Sequence, residues 1–133
     1  MKKSLIVIAV IVPILAVFWI GSRILGSTCG EQVVSEETSP DGRYVAVWMR
    51  RNCGTTTAYA DHINMRMANQ KFETSSWDGT IKKDEVFILD TAYGHLTRFQ
   101  WEGSRKLIVE YVSSADNLPR KNSWKDVSID YPH

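Results

Sequence analysis

Apolar and polar positions along this chain fall into two regimes. From Ser4 to Gly21 the run "SLIVIAVIVPILAVFWIG" carries no charge and almost no polar side chain. Beyond about residue 30 the pattern breaks into short stretches that alternate every second residue, the period of a strand rather than of a helix. "RYVAVWMR" sets Tyr44, Ala46 and Trp48 against Val45, Val47 and Met49. Both sets are apolar, so this strand is predicted to be buried on both faces. "HINMRM" alternates Ile63, Met65 and Met67 with polar partners, as in a half-buried strand. "DEVFILD", "LTRFQW", "KLIVEYV" and "DVSIDY" complete a set of six or seven strands. In "LTRFQW", strict alternation puts Leu96, Arg98 and Gln100 on one face, with Thr97, Phe99 and Trp101 on the other. No stretch after the leader has helical periodicity. The fold class expected is all-β, an antiparallel meander, curved sheet or small sandwich.

Turn chemistry supports that reading. Ser39-Pro40-Asp41-Gly42 places Pro where its fixed φ suits a turn and Gly where φ can become positive. Glu102-Gly103-Ser104-Arg105 and Tyr93-Gly94 have the same character, which suggests two hairpins in series. The Ser-Pro-Asp-Gly-basic turn looks like that of TolB-type propeller repeats. A propeller needs at least four four-stranded blades, and the chain after the leader has residues for about two.

The apolar leader changes the picture from fold to location. Residues 1–25 read as a signal-anchor, with residues 5–22 in the lipid bilayer and 26–133 forming an extracytoplasmic β domain. A bilayer core of about 30 Å takes roughly 20 helical residues, and Pro13 is tolerated in a membrane helix. A cleaved signal peptide would need small residues at alternate positions before the cut, and no Ala-x-Ala pattern occurs. Lipidation of Cys29 would need an aliphatic residue three positions earlier, where Gly26 stands. Lys2 and Lys3 against the single Arg23 keep the amino terminus in the cytoplasm. The expected location is the cytoplasmic (inner) membrane, single-pass, with the carboxy-terminal domain outside.

Charge then narrows the partners. Lys2, Lys3 and Arg23 are three of the 16 basic residues, so 13 remain against 15 acidic ones after the leader. That slightly acidic balance excludes a nucleic-acid binder, which needs a basic excess. The partners expected are the bilayer and an envelope protein, with no cofactor.

Candidate chemistry is sparse. Cys29 and Cys53, in an exported segment, can close one disulfide. Alternatively, Arg50 and Arg51 would depress the pKa of a free Cys53 thiol, as in a redox protein. Thr55, Thr56 and Thr57 follow Gly54 but lack the lysine and glycines of a phosphate loop; β-branched residues there fit a strand edge. His62, His95 and His133 have no zinc spacing. Asp61 and His62 are neighbours on a strand, so they point to opposite faces. Glu110, among apolar neighbours, is expected to pair with an arginine on an adjacent strand. An envelope hydrolase would use Glu110, or Asp78 with Asp84, at a separation of roughly 5–10 Å. The tract from Ala68 to Lys83 has no strong pattern, and long loops often carry binding function. Its Trp77 and Asp78, with Thr55, Thr56 and Thr57, form the candidate binding surface.

The Ser39-Pro-Asp-Gly-Arg turn, the apolar strand after it and Cys53-Gly54-Thr55-Thr56 together resemble a group of small exported or membrane-anchored bacterial proteins of unknown function. That group carries Cys-Gly-Ala-Thr-Thr, so Thr55 stands where it has Ala, and an earlier cysteine is matched by Cys29. The resemblance extends loosely through Trp101–Tyr111 and Trp124–Tyr131. It implies an extracytoplasmic β domain and no known activity. The function expected is a non-catalytic, membrane-anchored binding or interaction module.

Overall fold

The computed structural model describes residues 11–19, 29–54, 56–73 and 80–132. Among these residues eight strands, rather than the six or seven expected, make two four-stranded sheets; the extra one is the two-residue Ser123–Trp124. The first sheet runs β1 (Gly30–Thr38), β2 (Tyr44–Asn52), β3 (Ala60–Met67) and β4 (Glu85–Asp90) in chain order, all antiparallel. The second contains β5 (Gly94–Trp101), β6 (Lys106–Ser113), β7 (Ser123–Trp124) and β8 (Val127–Asp130) in the order β5-β6-β8-β7. Side chains from both sheets meet in one core. Tyr44, Ala46, Ile63, Met65 and Phe87 come from the first, and Leu96, Phe99, Leu107, Val109 and Ile129 from the second. The sandwich alternative is therefore the correct one, with a correction: β6 and β8 are parallel, so the second sheet is mixed. A parallel neighbour needs a crossover, and residues 114–126 provide it, carrying β7 on the way.

β2 is buried on both faces up to Met49, apart from the half-buried Trp48, as its two apolar sets predict. The Ser39–Gly42 turn that opens it is closed by Gly42 N–H donating to Ser39 O at 2.8 Å, with Gly42 at φ 71°. Asp41 serves this turn and reaches beyond it. Its Oδ1 accepts from Ser39 Oγ at 2.7 Å and its Oδ2 from Arg105 Nη1 at 2.8 Å. Arg105 Nε also meets Asp126 Oδ2 at 2.8 Å, and the Tyr44 hydroxyl donates to Asp126. One charged cluster thus ties three turns from both sheets together. The Tyr44 hydrogen bond, with the nearby arginines, holds the Asp126 carboxyl below its ordinary range.

Two expectations, one from strict alternation and one from turn chemistry, fail for physical reasons. A bulge at Thr97 inserts one extra residue into β5, and this returns Leu96 to the same buried side as Phe99. The Tyr93-Gly94 turn is a corner rather than a hairpin, because β4 and β5 lie in different sheets. Asp90 holds that corner, its Oδ1 accepting from Ala92 N–H at 2.8 Å. Gly94 is required there by close approach, since an added Cβ would lie 2.0 Å from Val112 O.

The outer edge of β4 is capped by the polar tract before β7. Ile88 N–H donates to Pro119 O at 3.0 Å and Lys121 N–H to Val86 O at 2.8 Å. Arg120 Nη1 donates to the Tyr111 hydroxyl at 3.0 Å and its guanidinium lies over Tyr131 at 5.2 Å. Burial raises the pKa of the Tyr131 hydroxyl far above a free phenol's, and that hydroxyl sits 2.9 Å from both Val86 O and Lys121 O.

The Cys29–Cys53 disulfide is formed and fastens the start of β1 to the end of β2, where Gly30 faces Asn52. In the leader, α1 covers residues 11–19, and each of them is exposed. Among the described residues no helix is long and apolar enough to cross a membrane. The flanks of the expected bilayer segment, residues 5–10 and 20–22, lie outside the described residues.

Candidate functional site

Residues directly opposite in an antiparallel pair share a face, so the registers assign every side chain of the first sheet. Val47, Asn64 and Glu85 lie in one row on the face turned away from the core. Met49, His62 and Ile88 form the next row, and Arg51 with Ala60 the one after. Polar groups on this face are buried nonetheless: His62 is 0% exposed, Arg51 and Glu85 2%, and Asn64 8%. β3 is therefore buried on both faces through Met65 rather than half-buried.

Buried charges must be paired, and these are. His62 Nδ1 lies 3.1 Å from Glu85 Oε1, and Glu85 Oε2 accepts from Lys82 N–H at 2.8 Å. Burial pulls the Glu85 pKa upward, but the His62 hydrogen bond, the Lys82 N–H and the electrostatic pull of His62 and Arg51 outweigh it. The result lies below the ordinary value of 4.5. Arg51 Nη2 meets Glu31 Oε1 at 2.5 Å. On the core face, Arg50 grips Asp61 through two contacts, Nε–Oδ1 at 2.8 Å and Nη2–Oδ2 at 3.0 Å. Asp61 and His62 thus serve opposite faces, as their adjacency predicts.

Where β3 ends, this face opens into a cavity of about 430 Å³. Asn64, Arg66, Lys71, Phe72, Glu73 and Asp84 line it. Arg66 organises the wall: Nη1 donates to Gln70 O at 2.9 Å and Nη2 meets Glu36 Oε2 at 3.2 Å. Asp84 is already engaged, accepting from the Trp124 indole at 3.0 Å. With Met65 and Gln70, the lining joins two cations, two carboxylates, two amides, an aromatic ring and a thioether. Among the described residues, that mixture offers both signs of charge and neutral hydrogen-bonding groups to a polar or zwitterionic ligand.

The residues that the sequence singles out are scattered over the molecule. Trp77, Asp78 and Thr55 lie outside the described residues. Thr56 and Thr57 are exposed in the turn after the disulfide, where Thr57 Oγ1 donates to Gly54 O at 3.3 Å. Glu110 pairs across the strands with Arg98, Nη2–Oε1 2.6 Å, as expected. Asp84 cannot be matched with Asp78 among the described residues. Cys53 is bonded to Cys29, which corrects the free-thiol alternative. His95 is exposed. Among the described residues no three His, Cys, Asp or Glu side chains gather as a metal site.

Sequence reasoning missed the His62–Glu85 pair and the cavity beside it. One signal was available: Val45, Val47 and Met49 are an apolar set on the outward face of β2, so neighbours on that face must be covered too. Comparison with protein-family models, curated proteins and solved structures finds no match to this chain.

Proposed function

We propose that this chain is a non-catalytic binding module of the cell envelope, held at the cytoplasmic membrane by its apolar leader, with the β domain outside the cytoplasm. The observation that carries this reading is the cavity at the end of β3, with its mixed-charge lining beside the 68–83 tract. The groups best suited to acid–base chemistry are spent elsewhere, Glu110 on Arg98, Asp61 on Arg50 and Glu85 on His62. Anchoring is supported by α1, whose Phe18 and Trp19 are 75% and 66% exposed with no polar face to justify it. The disulfide supports an oxidising compartment.

The test places a photo-crosslinking residue at Gln70, on the cavity wall, or at Gln100, an exposed position on the second sheet, in intact cells. The reading requires a discrete adduct at Gln70 that is missing at Gln100. Equal labelling at the two positions, or none, refutes it. Location is tested separately by thiol alkylation of the native protein and a reporter fused after His133. Two alkylated sulfurs with a cytosolic reporter would overturn the envelope assignment.

A further inference from the structure

The two outer strands of the first sheet are treated differently. β4 is closed on its free side by residues 119–121. Among the described residues β1 pairs only with β2, and every residue from Gly30 to Thr38 is exposed except the half-buried Ser35. At its far end the Trp101 indole donates to Glu37 O at 2.9 Å. Among the described residues that leaves Gly30–Glu36 as an edge of backbone donors and acceptors, interrupted by a bulge at Val34, to which a strand can be added.

Charge selects the occupant. β1 contains Glu31, Glu36 and Glu37 and no basic residue. Arg51 holds Glu31 through one carboxylate oxygen, Oε1, and Arg66 holds Glu36 through one, Oε2. A carboxylate accepts on both oxygens, so each keeps an acceptor for an incoming cation. Val33 and Val34, 45% and 41% exposed, give apolar contact between the acids. The β1 edge of a second copy brings no cation to these acids, because β1 contains no basic residue. Antiparallel self-pairing centred on Val34 would set Glu31 against Glu37, and like charges directly opposite destabilise a pair.

We propose that the free edge of β1, Gly30–Glu36, takes up an extended segment of a partner protein bearing lysine or arginine at alternate positions. This edge meets the cavity at the end of β3 only through Glu36, whose partner Arg66 stands in the cavity wall, and its backbone groups do not depend on what the cavity binds.

The experiment uses the full chain in phosphatidylcholine nanodiscs, whose neutral lipid does not attract the probe. The probe is a synthetic peptide of alternating lysine and valine, followed by amide hydrogen exchange. The expected result is slowed exchange within Gly30–Glu36, with none at the β4 edge. The same peptide N-methylated at every backbone nitrogen keeps its charge but has no N–H to pair along either edge, and it should give no protection. A glutamate–valine peptide should also fail, and Glu36→Gln should weaken binding by about two- to fivefold. Unchanged exchange in β1, protection by the N-methylated peptide, or equal binding of the acidic peptide overturns the proposal.

Discussion

Replacing Cys29 and Cys53 together by serine removes the covalent tie between the start of β1 and the end of β2. The two cysteines are 24 residues apart in sequence. For a loop of that size the chain-entropy relation gives about 11.6 cal/mol/K, or about 3.4 kcal/mol at 25 °C. A domain of this size has a total stability on the order of 5–15 kcal/mol, so the loss is a large fraction. With a urea dependence of about 1–3 kcal/mol per molar, the unfolding midpoint should fall by roughly 1–3 M, with a somewhat steeper slope because the uncrosslinked unfolded chain exposes more surface. The assay is equilibrium urea unfolding of the native and double-serine proteins, followed by tryptophan fluorescence. Hydrogen exchange should show the largest loss of protection at Gly30–Val33, because few buried side chains hold that end of β1. A midpoint unchanged within about 0.3 M would refute the reasoning. It would mean that the Ser39–Gly42 turn already closes this loop in the unfolded chain, leaving the bond nothing to constrain.

Four further outcomes follow from the geometry. Phe87 is fully buried, with its ring 4.9 Å from that of Tyr111 and 5.5 Å from that of Tyr131; Phe87→Ala should cost about 3–5 kcal/mol, read as a thermal midpoint lower by roughly 12 °C or more. Gly94→Ala forces a methyl group against Val112 O and should cost about 1–3 kcal/mol, measured by urea unfolding. Glu85 has a folded-state pKa lowered from 4.5, so its contribution to stability is complete above that value and is lost as pH falls through the lower folded pKa; stability measured between pH 6 and pH 3, values chosen as roughly bracketing the carboxylate range, should fall less steeply in Glu85→Gln. Glu110→Gln removes one partner of a largely exposed pair and should change stability by less than about 1 kcal/mol, with no effect on crosslinking at Gln70.

What a reader of the sequence can recover here is set by how local the cause is. The Ser39–Gly42 turn, the two-sided burial of β2 and the opposite facing of Asp61 and His62 depend on residues within a few positions of one another, and all three follow from pattern alone. The Glu110–Arg98 pair was also within reach, because strands joined by a short Gly turn have few registers available. The facing of β5 was not, since the bulge at Thr97 shifts parity by one residue and nothing in "LTRFQW" marks it. The parallel pairing of β6 with β8, and the capping of β4 by residues 119–121, depend on where the chain returns after a long detour. The His62–Glu85 pair joins strands separated by the patternless 68–83 tract, so its partners had no common sequence signal.

The clasp that joins Tyr44 to Asp126 spans 82 residues of chain, and Tyr131 reaches back 45 to Val86. Neither closure can form before residues 126 and 131 have been made. The first sheet must wait with its β4 border unfinished and its apolar surface uncovered until residues 119–131 arrive. Contacts this distant slow folding, and a waiting sheet is exposed to wrong association. Nascent copies shortened before Pro119 should therefore be the species that chaperones and proteases capture first.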